Sequence, residues 1–259
     1  MSLFPLFNKE KKYTLVISGG GTRGFYALGV LKGLEELGFK DKIQAIYGVS
    51  AGAIVGAYRA AGYSAKEIYD MFRGINPFGI TSINIFSKES LLKLNYFEKK
   101  FTSDLPQRIT DLKIKTFIGT TDAKIGKFLL FDKGDLTPIL LGSMSIPGLF
   151  PVVHYRDYIL MDGGATNNFP VDMAKKKYPN DEIIGIALNK FQEHQKIKNI
   201  FDALSISFEI LLRHQTIENM GSVKYLFYKN LPLKVLDTNK KNMHKAYLEG
   251  YHDCLKHFR

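Results

Sequence analysis

The hydrophobic pattern of this chain switches repeatedly between the unbroken apolar run of a buried strand and the three- and four-residue steps of a helix. "YTLVIS" (13–18) is short, continuous and apolar, which predicts a first buried strand. Phe25, Leu28, Leu31 and Leu34 then recur at helical spacing, with Gly38 placed to end the helix. "KIQAIYGV" predicts a second strand. "AGAIVGAYRAAG" predicts a helix of small apolar residues able to lie close to a sheet, with Gly62 as its C-cap. Ser64 and Glu67 form a capping-box pattern, and Lys88–Lys100 is a further helical segment starting after Ser87. "IKTFIGTTD" and "KFLLF" read as strands about the turn "AKIG", and Asp135 is placed to cap "LTPILLGSM". "YILMDGG" and "DEIIGIALN" are further strands, separated by the helical "PVDMAKKKY", in which Pro170 suits a first turn.

Strands alternating with helices predict an α/β fold with a largely parallel sheet. Beyond Ile197 the pattern turns helical: "NIFDALSISFEILLRHQTIENM", a strand "VKYLFYK", and a basic helix from Lys240 with Tyr247, Tyr251 and Leu255 on its apolar face. No repeat, low-complexity tract or clear linker divides the chain, so one domain over 1–259 is expected, its motifs within 13–188 and a helical extension over 197–259.

Composition narrows the possibilities. With 259 residues and 45% hydrophobic content the chain can bury a large core. No window reaches the ~18 apolar residues of a membrane span, and "MSLFPLFNKEKK" lacks the features of a secretory signal, so a cytoplasmic protein is expected. A single cysteine, Cys254, excludes an internal disulfide and a cysteine-built metal site. The net charge of +11, from 36 Lys and Arg against 25 Asp and Glu, is spread broadly and favours anionic surfaces. No nucleic-acid-binding signature accompanies it, so no nucleic-acid partner is expected, and an anionic membrane surface is the expected peripheral contact, with the basic C-terminal helix as the candidate element. The oligomeric state is not legible.

The candidate chemistry lies at the ends of strands. "SGGGTRG" contains Gly19-x-Gly21-x-x-Gly24, the spacing of a dinucleotide loop, but such a site needs an acidic residue at the end of the second strand, and Asp41 precedes that strand. The second strand ends instead in Gly48-Val49-Ser50-Ala51-Gly52. This G-x-S-x-G between strand and helix is the pattern of a nucleophile elbow, whose flanking positions, Gly48 and Gly52, tolerate no side chains. The amides of Gly19, Gly20 and Gly21, at a helix N-terminus, then suit an oxyanion as well as a phosphate, with Arg23 bracing the loop or meeting the substrate anion. A third motif, Asp162-Gly163-Gly164, ends the strand "YILM". Of the six histidines none sits in a positioning motif, although His194 follows a strand and would fit the order Ser, acid, His.

Together "GGGTRG", "GVSAG" and "DGG" resemble, in content and order, the three hallmark blocks of the patatin-like phospholipases. "SMSIPGLFPVV" and "DGGATNNFPVDMA" also match that family, except that Val152 stands where a second proline is common, and the likeness covers about Tyr13 to Leu188. The resemblance implies a three-layer α/β/α fold and a lipid acyl hydrolase. It further implies a Ser50–Asp162 dyad without histidine, an oxyanion hole in the glycine loop, and neither metal nor other cofactor. Two alternatives stay open: an esterase or thioesterase assisted by His194, and a lipid-binding protein that does not turn over. "INPFGITSINIF", "LLKLNYF" and "IPGLFPVV" are the apolar segments available to line an acyl channel.

Overall fold

The computed structural model describes residues 11–75, 90–189 and 197–258, apart from 232 and 234. Strand β1 (Tyr13–Ile17) is buried throughout, as its continuous apolar run requires of a central strand. It pairs in parallel with β2 (Ile43–Val49) on one side and β7 (Glu182–Ala187) on the other. β2 pairs in parallel with β3 (Lys115–Asp122), and β7 with β8 (Tyr225–Tyr228). Three antiparallel strands finish the sheet: β4 (Lys127–Phe131) and β6 (Tyr158–Asp162) flank β3, and β5 (Val153–Tyr155) pairs with β6. The order is β5-β6-β3-β2-β1-β7-β8, with β4 against β3. β5 is too short to leave a periodic signal, and the sequence pattern does not predict it.

Alternation along β1 divides the core in two: Tyr13, Leu15 and Ile17 join one cluster and Val16 the other. The larger cluster packs α1 (Gly24–Glu36), α2 (Ala51–Ala61), α3 (Ala65–Phe72), α4 (Asn95–Asp104), α5 (Leu136–Ser143), α7 (Ile200–Glu218) and α8 (Lys240–His257). The smaller holds α6 (Val171–Lys177) on the opposite face. This is the three-layer α/β/α architecture with a mostly parallel sheet that was expected.

Local signals behave as their chemistry dictates, with three departures. Gly62 is the left-handed C-cap of α2, and Ser64 and Glu67 close a reciprocal capping box on α3. The helix predicted over Lys88–Lys100 begins only at Asn95. Its first two residues lie outside the described residues, and the amides of Leu91 and Leu92 donate instead to the carbonyls of Gly148 and Leu149, which holds that stretch out of a helix. Asp135 stands at the N-cap of α5, but its carboxylate accepts from Tyr155 rather than from the helix.

The third departure concerns the C-terminal quarter. It is no extension: β8 joins the sheet and α8 lies along α1. The two helices touch backbone to backbone, because a Cβ on Gly29 would come 1.9 Å from the Tyr247 carbonyl and one on Gly250 2.1 Å from that of Tyr26. On the face expected to be apolar, Tyr247 is buried, whereas Tyr251 and Leu255 are half-buried. No helix among the described residues is long and apolar enough to cross a membrane.

Register positions the three motifs. Ile17 at the end of β1 pairs with Gly48, and Val49 at the end of β2 pairs with Gly119. β6 takes over the same side of β3 one residue further on, where Asp162 pairs with Thr120. Because β6 runs antiparallel, it arrives head-on at the end of β2. The serine after β2 and the aspartate ending β6 thus meet across a gap in the sheet rather than along a common parallel edge.

Candidate active site

Ser50 is the hinge between β2 and α2, with φ 54° and ψ −122°, and is one of two described non-glycine residues at positive φ. Such a backbone is strained for an L-residue and persists only when its surroundings enforce it. They do: a Cβ on Gly48 would lie 2.5 Å from the Gly52 carbonyl oxygen, and one on Gly52 2.3 Å from that of Ile17. The elbow packs directly on its neighbours, which is why both flanking positions are glycine. Ser143, at the end of α5, braces it by accepting from the Ser50 amide at 2.9 Å and donating to the Gly119 carbonyl at 2.7 Å.

Asp162 is wholly buried. Its Oδ1 accepts a 2.8 Å hydrogen bond from the Gly164 amide, and Oδ2 makes no hydrogen bond of ordinary length and angle. Burial pushes the carboxyl up to about 7, while the nearby Ser50 hydroxyl and the Gly164 amide draw it partway back. The serine and the acid therefore face each other in loose register, as unliganded catalytic pairs commonly do. The glycines after the acid sit in close contact: a Cβ on Gly163 would meet the Gly119 carbonyl at 2.6 Å, where backbone cannot yield, and one on Gly164 would come 2.1 Å from a Leu212 methyl.

The glycine loop lies against the serine, since a Cβ on Gly19 would come 3.0 Å from Ser50 Cβ. Its amides divide into two groups. Gly19 donates to Asn168 Oδ1 at 3.0 Å and is thus committed. Among the described residues nothing accepts from the amides of Gly20 and Gly21, which precede α1. Expecting an oxyanion donor at Gly19 is corrected on this ground. Of the two roles expected for Arg23, the geometry fits bracing the loop and not meeting a substrate anion: its guanidinium is buried in an ion pair with Glu209 of α7, its Nε donates to the Leu233 carbonyl, and it does not line the cavity beside Ser50.

That cavity has a volume of about 150 Å³. Ser50 and Gly21 stand in its wall with Thr22 and Asp237, and the rest of the lining is almost wholly apolar. Phe97 from "LLKLNYF" and Ile146 and Phe150 from "IPGLFPVV" contribute to it, as does Ile75; the remainder of "INPFGITSINIF" lies outside the described residues. His194 also lies outside them, and among the described residues no histidine lines the cavity. Among the described residues no group of three or more His, Cys, Asp or Glu is arranged to hold a metal ion.

Sequence reasoning missed Asn168, Ser143 and Glu209, which contact the motifs without belonging to them. Asn168 and Ser143 each left a signal, in the "NNFP" that follows the acid loop and at the head of "SMSIPGLFPVV", whereas Glu209 left none. Leu236, Asp237 and Met243 were also missed, because they reach the cavity from the C-terminal quarter.

Comparison with known proteins gives the family and the fold. The patatin-like phospholipase family description matches residues 15–175. The chain is 32% identical over 221 residues to a probable lipid hydrolase of Invertebrate iridescent virus 6, covering 70% of this chain and 72% of that one. It is 25% identical over 252 residues to a lysophospholipase of Scheffersomyces stipitis, covering 90% of this chain but 16% of the yeast protein. The crystal structure of VipD from Legionella pneumophila shares the fold at TM-score 0.65 and 13% identity, over 96% of this chain and 67% of that one. The chain thus spans a small part of the yeast relative and 27% of mycobacterial ones.

Proposed function

The chain belongs to the patatin-like phospholipase family, and from that premise we propose that it is a lipid acyl hydrolase working through a Ser50–Asp162 dyad. Ser50 Oγ attacks the carbonyl carbon of an acyl ester while Asp162 takes its proton. The amides of Gly20 and Gly21 stabilise the charge that develops on the carbonyl oxygen. The alcohol leaves with that proton, and water, deprotonated in turn by Asp162, releases the fatty acid. The acyl chain occupies the apolar cavity beside Ser50.

One observation carries this reading: a fully buried carboxylate titrating near 7 faces a strained serine at the wall of an apolar cavity. An aspartate of ordinary pKa, ~4, is a poor base for a hydroxyl, whereas one near neutrality is matched to the task. The almost wholly apolar lining suits an acyl chain, and the name of the yeast relative, a lysophospholipase, points to esters that carry a single one. Contact with an anionic bilayer belongs to the proposal on the net charge of +11 alone.

The test is fatty-acid release from lysophosphatidylcholine and phosphatidylcholine, and nitrophenol release from a short p-nitrophenyl ester, with EDTA present. Wild type is expected to turn over, to favour the single-chain lipid and to ignore the chelator. Ser50→Ala and Asp162→Asn are expected to lose at least about 10³-fold, and His194→Ala to lose nothing. A folded wild type that binds lipid without releasing product returns the binding reading, and a dead but folded His194→Ala returns the histidine one.

A further inference from the structure

Three consecutive glycines form a loop with the greatest conformational freedom a chain can have, so amides held at a fixed point within it need anchors on either side. The anchors are present at both ends. On the near side the Gly19 amide is held by Asn168 Oδ1, and Asn168 Nδ2 donates to Thr216 Oγ1 at 2.8 Å. On the far side the Thr22 amide donates to the Val235 carbonyl at 2.8 Å, Thr22 Oγ1 to the Asp237 carbonyl at 3.1 Å, and Arg23 Nε to the Leu233 carbonyl at 2.9 Å. Arg23 also forms its ion pair with Glu209, the two side chains being 1% and 3% exposed. Glu209, Leu212 and Thr216 lie at helical spacing on one buried face of α7, and Leu212 packs against Gly164 of the acid loop. A single rigid face therefore grips the glycine loop at both ends and the acid loop between them.

We infer that Glu209 is a positioning residue for the oxyanion site: through its buried pair with Arg23 it fixes the amides of Gly20 and Gly21 beside Ser50. The inference rests on the reading of those two amides as oxyanion donors. A buried guanidinium that leaves its carboxylate becomes an unpaired charge in an apolar setting, so Arg23 stays with α7 and the loop stays with Arg23. The Arg of the glycine motif thus serves the reaction at one remove, from the side facing away from the substrate.

The experiment compares wild type with Glu209→Gln and with the double variant Arg23→Met/Glu209→Leu, which replaces the pair by apolar side chains that buried pairs commonly tolerate. Steady-state hydrolysis of p-nitrophenyl butyrate and the rate of Ser50 labelling by a fluorophosphonate, whose phosphoryl oxygen needs the same donors, are measured after thermal melting confirms the fold. Both variants are expected to lose about 10- to 100-fold in kcat, with labelling slowed in parallel, KM within about twofold, and the acid limb of the pH profile unmoved. Wild-type kcat in the folded variants overturns the inference, as does a loss confined to KM, a shifted acid limb, or failure of the double variant to fold. Ser50→Ala runs alongside: turnover retained there sinks the dyad reading itself, whereas a dead Ser50→Ala beside fully active Glu209 variants sinks only the positioning role.

Discussion

At the residue scale Asp162 is the most consequential group, because burial moves its titration into the physiological range. In the proposed dyad the deprotonated carboxylate is the base, so kcat/KM for a non-titrating ester is expected to rise with pH along a limb with a midpoint of about 7. A limb centred near 4 to 5 contradicts this. The same burial acts on stability with the opposite sign. Folded Asp162 titrates near 7 against ~4 unfolded, so between those values the folded chain keeps a proton the unfolded chain has lost. Stability contributed below about pH 4 therefore declines as pH rises and is gone above about 7. Asp162→Asn keeps an acceptor for the Gly164 amide and removes the charge. It is expected to be inactive yet more stable than wild type at pH 8, on the order of 2–4 kcal/mol, with the gap closing toward pH 4. Denaturant melts at the two pH values read the difference, and a destabilised variant at pH 8 refutes it. The serine, the acid and their flanking glycines were legible from sequence because they stand in consecutive residues, and backbone lies where a Cβ on Gly48, Gly52 or Gly163 would go. The division of labour among Gly19, Gly20 and Gly21 was not, since three identical residues differ only in what their amides face.

At the element scale the contact of α1 with α8 decides much of the packing. Because a Cβ on Gly29 would sit 1.9 Å from the Tyr247 carbonyl, and backbone cannot yield as a side chain can, Gly29→Ala is expected to cost about 2–3 kcal/mol. Gly74, with nothing within 4 Å of an added Cβ, is the control and should change stability by less than about 0.5 kcal/mol. Urea midpoints at unchanged m-value separate the two cases, and equal midpoints overturn the packing argument. Helices and strands with strong periodicity were legible along the whole chain, while those defined by partners were not. The start of α4 is set by Leu91 and Leu92 pairing with a distant loop, and β5 exists through its pairing with β6.

At the scale of the whole molecule the C-terminal quarter is as necessary to the site as the motif-bearing part. α7 pairs with Arg23 and packs on the acid loop, Leu236 and Met243 line the cavity, and β8 covers the edge of β7. A chain ending at Asn189 retains all three sequence motifs but exposes the α1 face that α8 buries and leaves Arg23 without Glu209. It is expected to be insoluble or loosely packed and to lack turnover. Expression, near-ultraviolet circular dichroism and ester hydrolysis test this, and a folded, active truncation contradicts it.

The sequence by itself determined the alternation of strands and helices, the strained serine between β2 and α2, and the acid at the end of β6. Those features depend on local sterics and periodicity, which are written in consecutive residues. Only the tertiary structure decided that β6 meets β2 head-on against β3, that the pKa of Asp162 rises, that Gly19 is committed to Asn168, and that Arg23 turns away to Glu209. Register, burial and ion pairing join residues far apart in the chain, and no local pattern encodes which of them will meet.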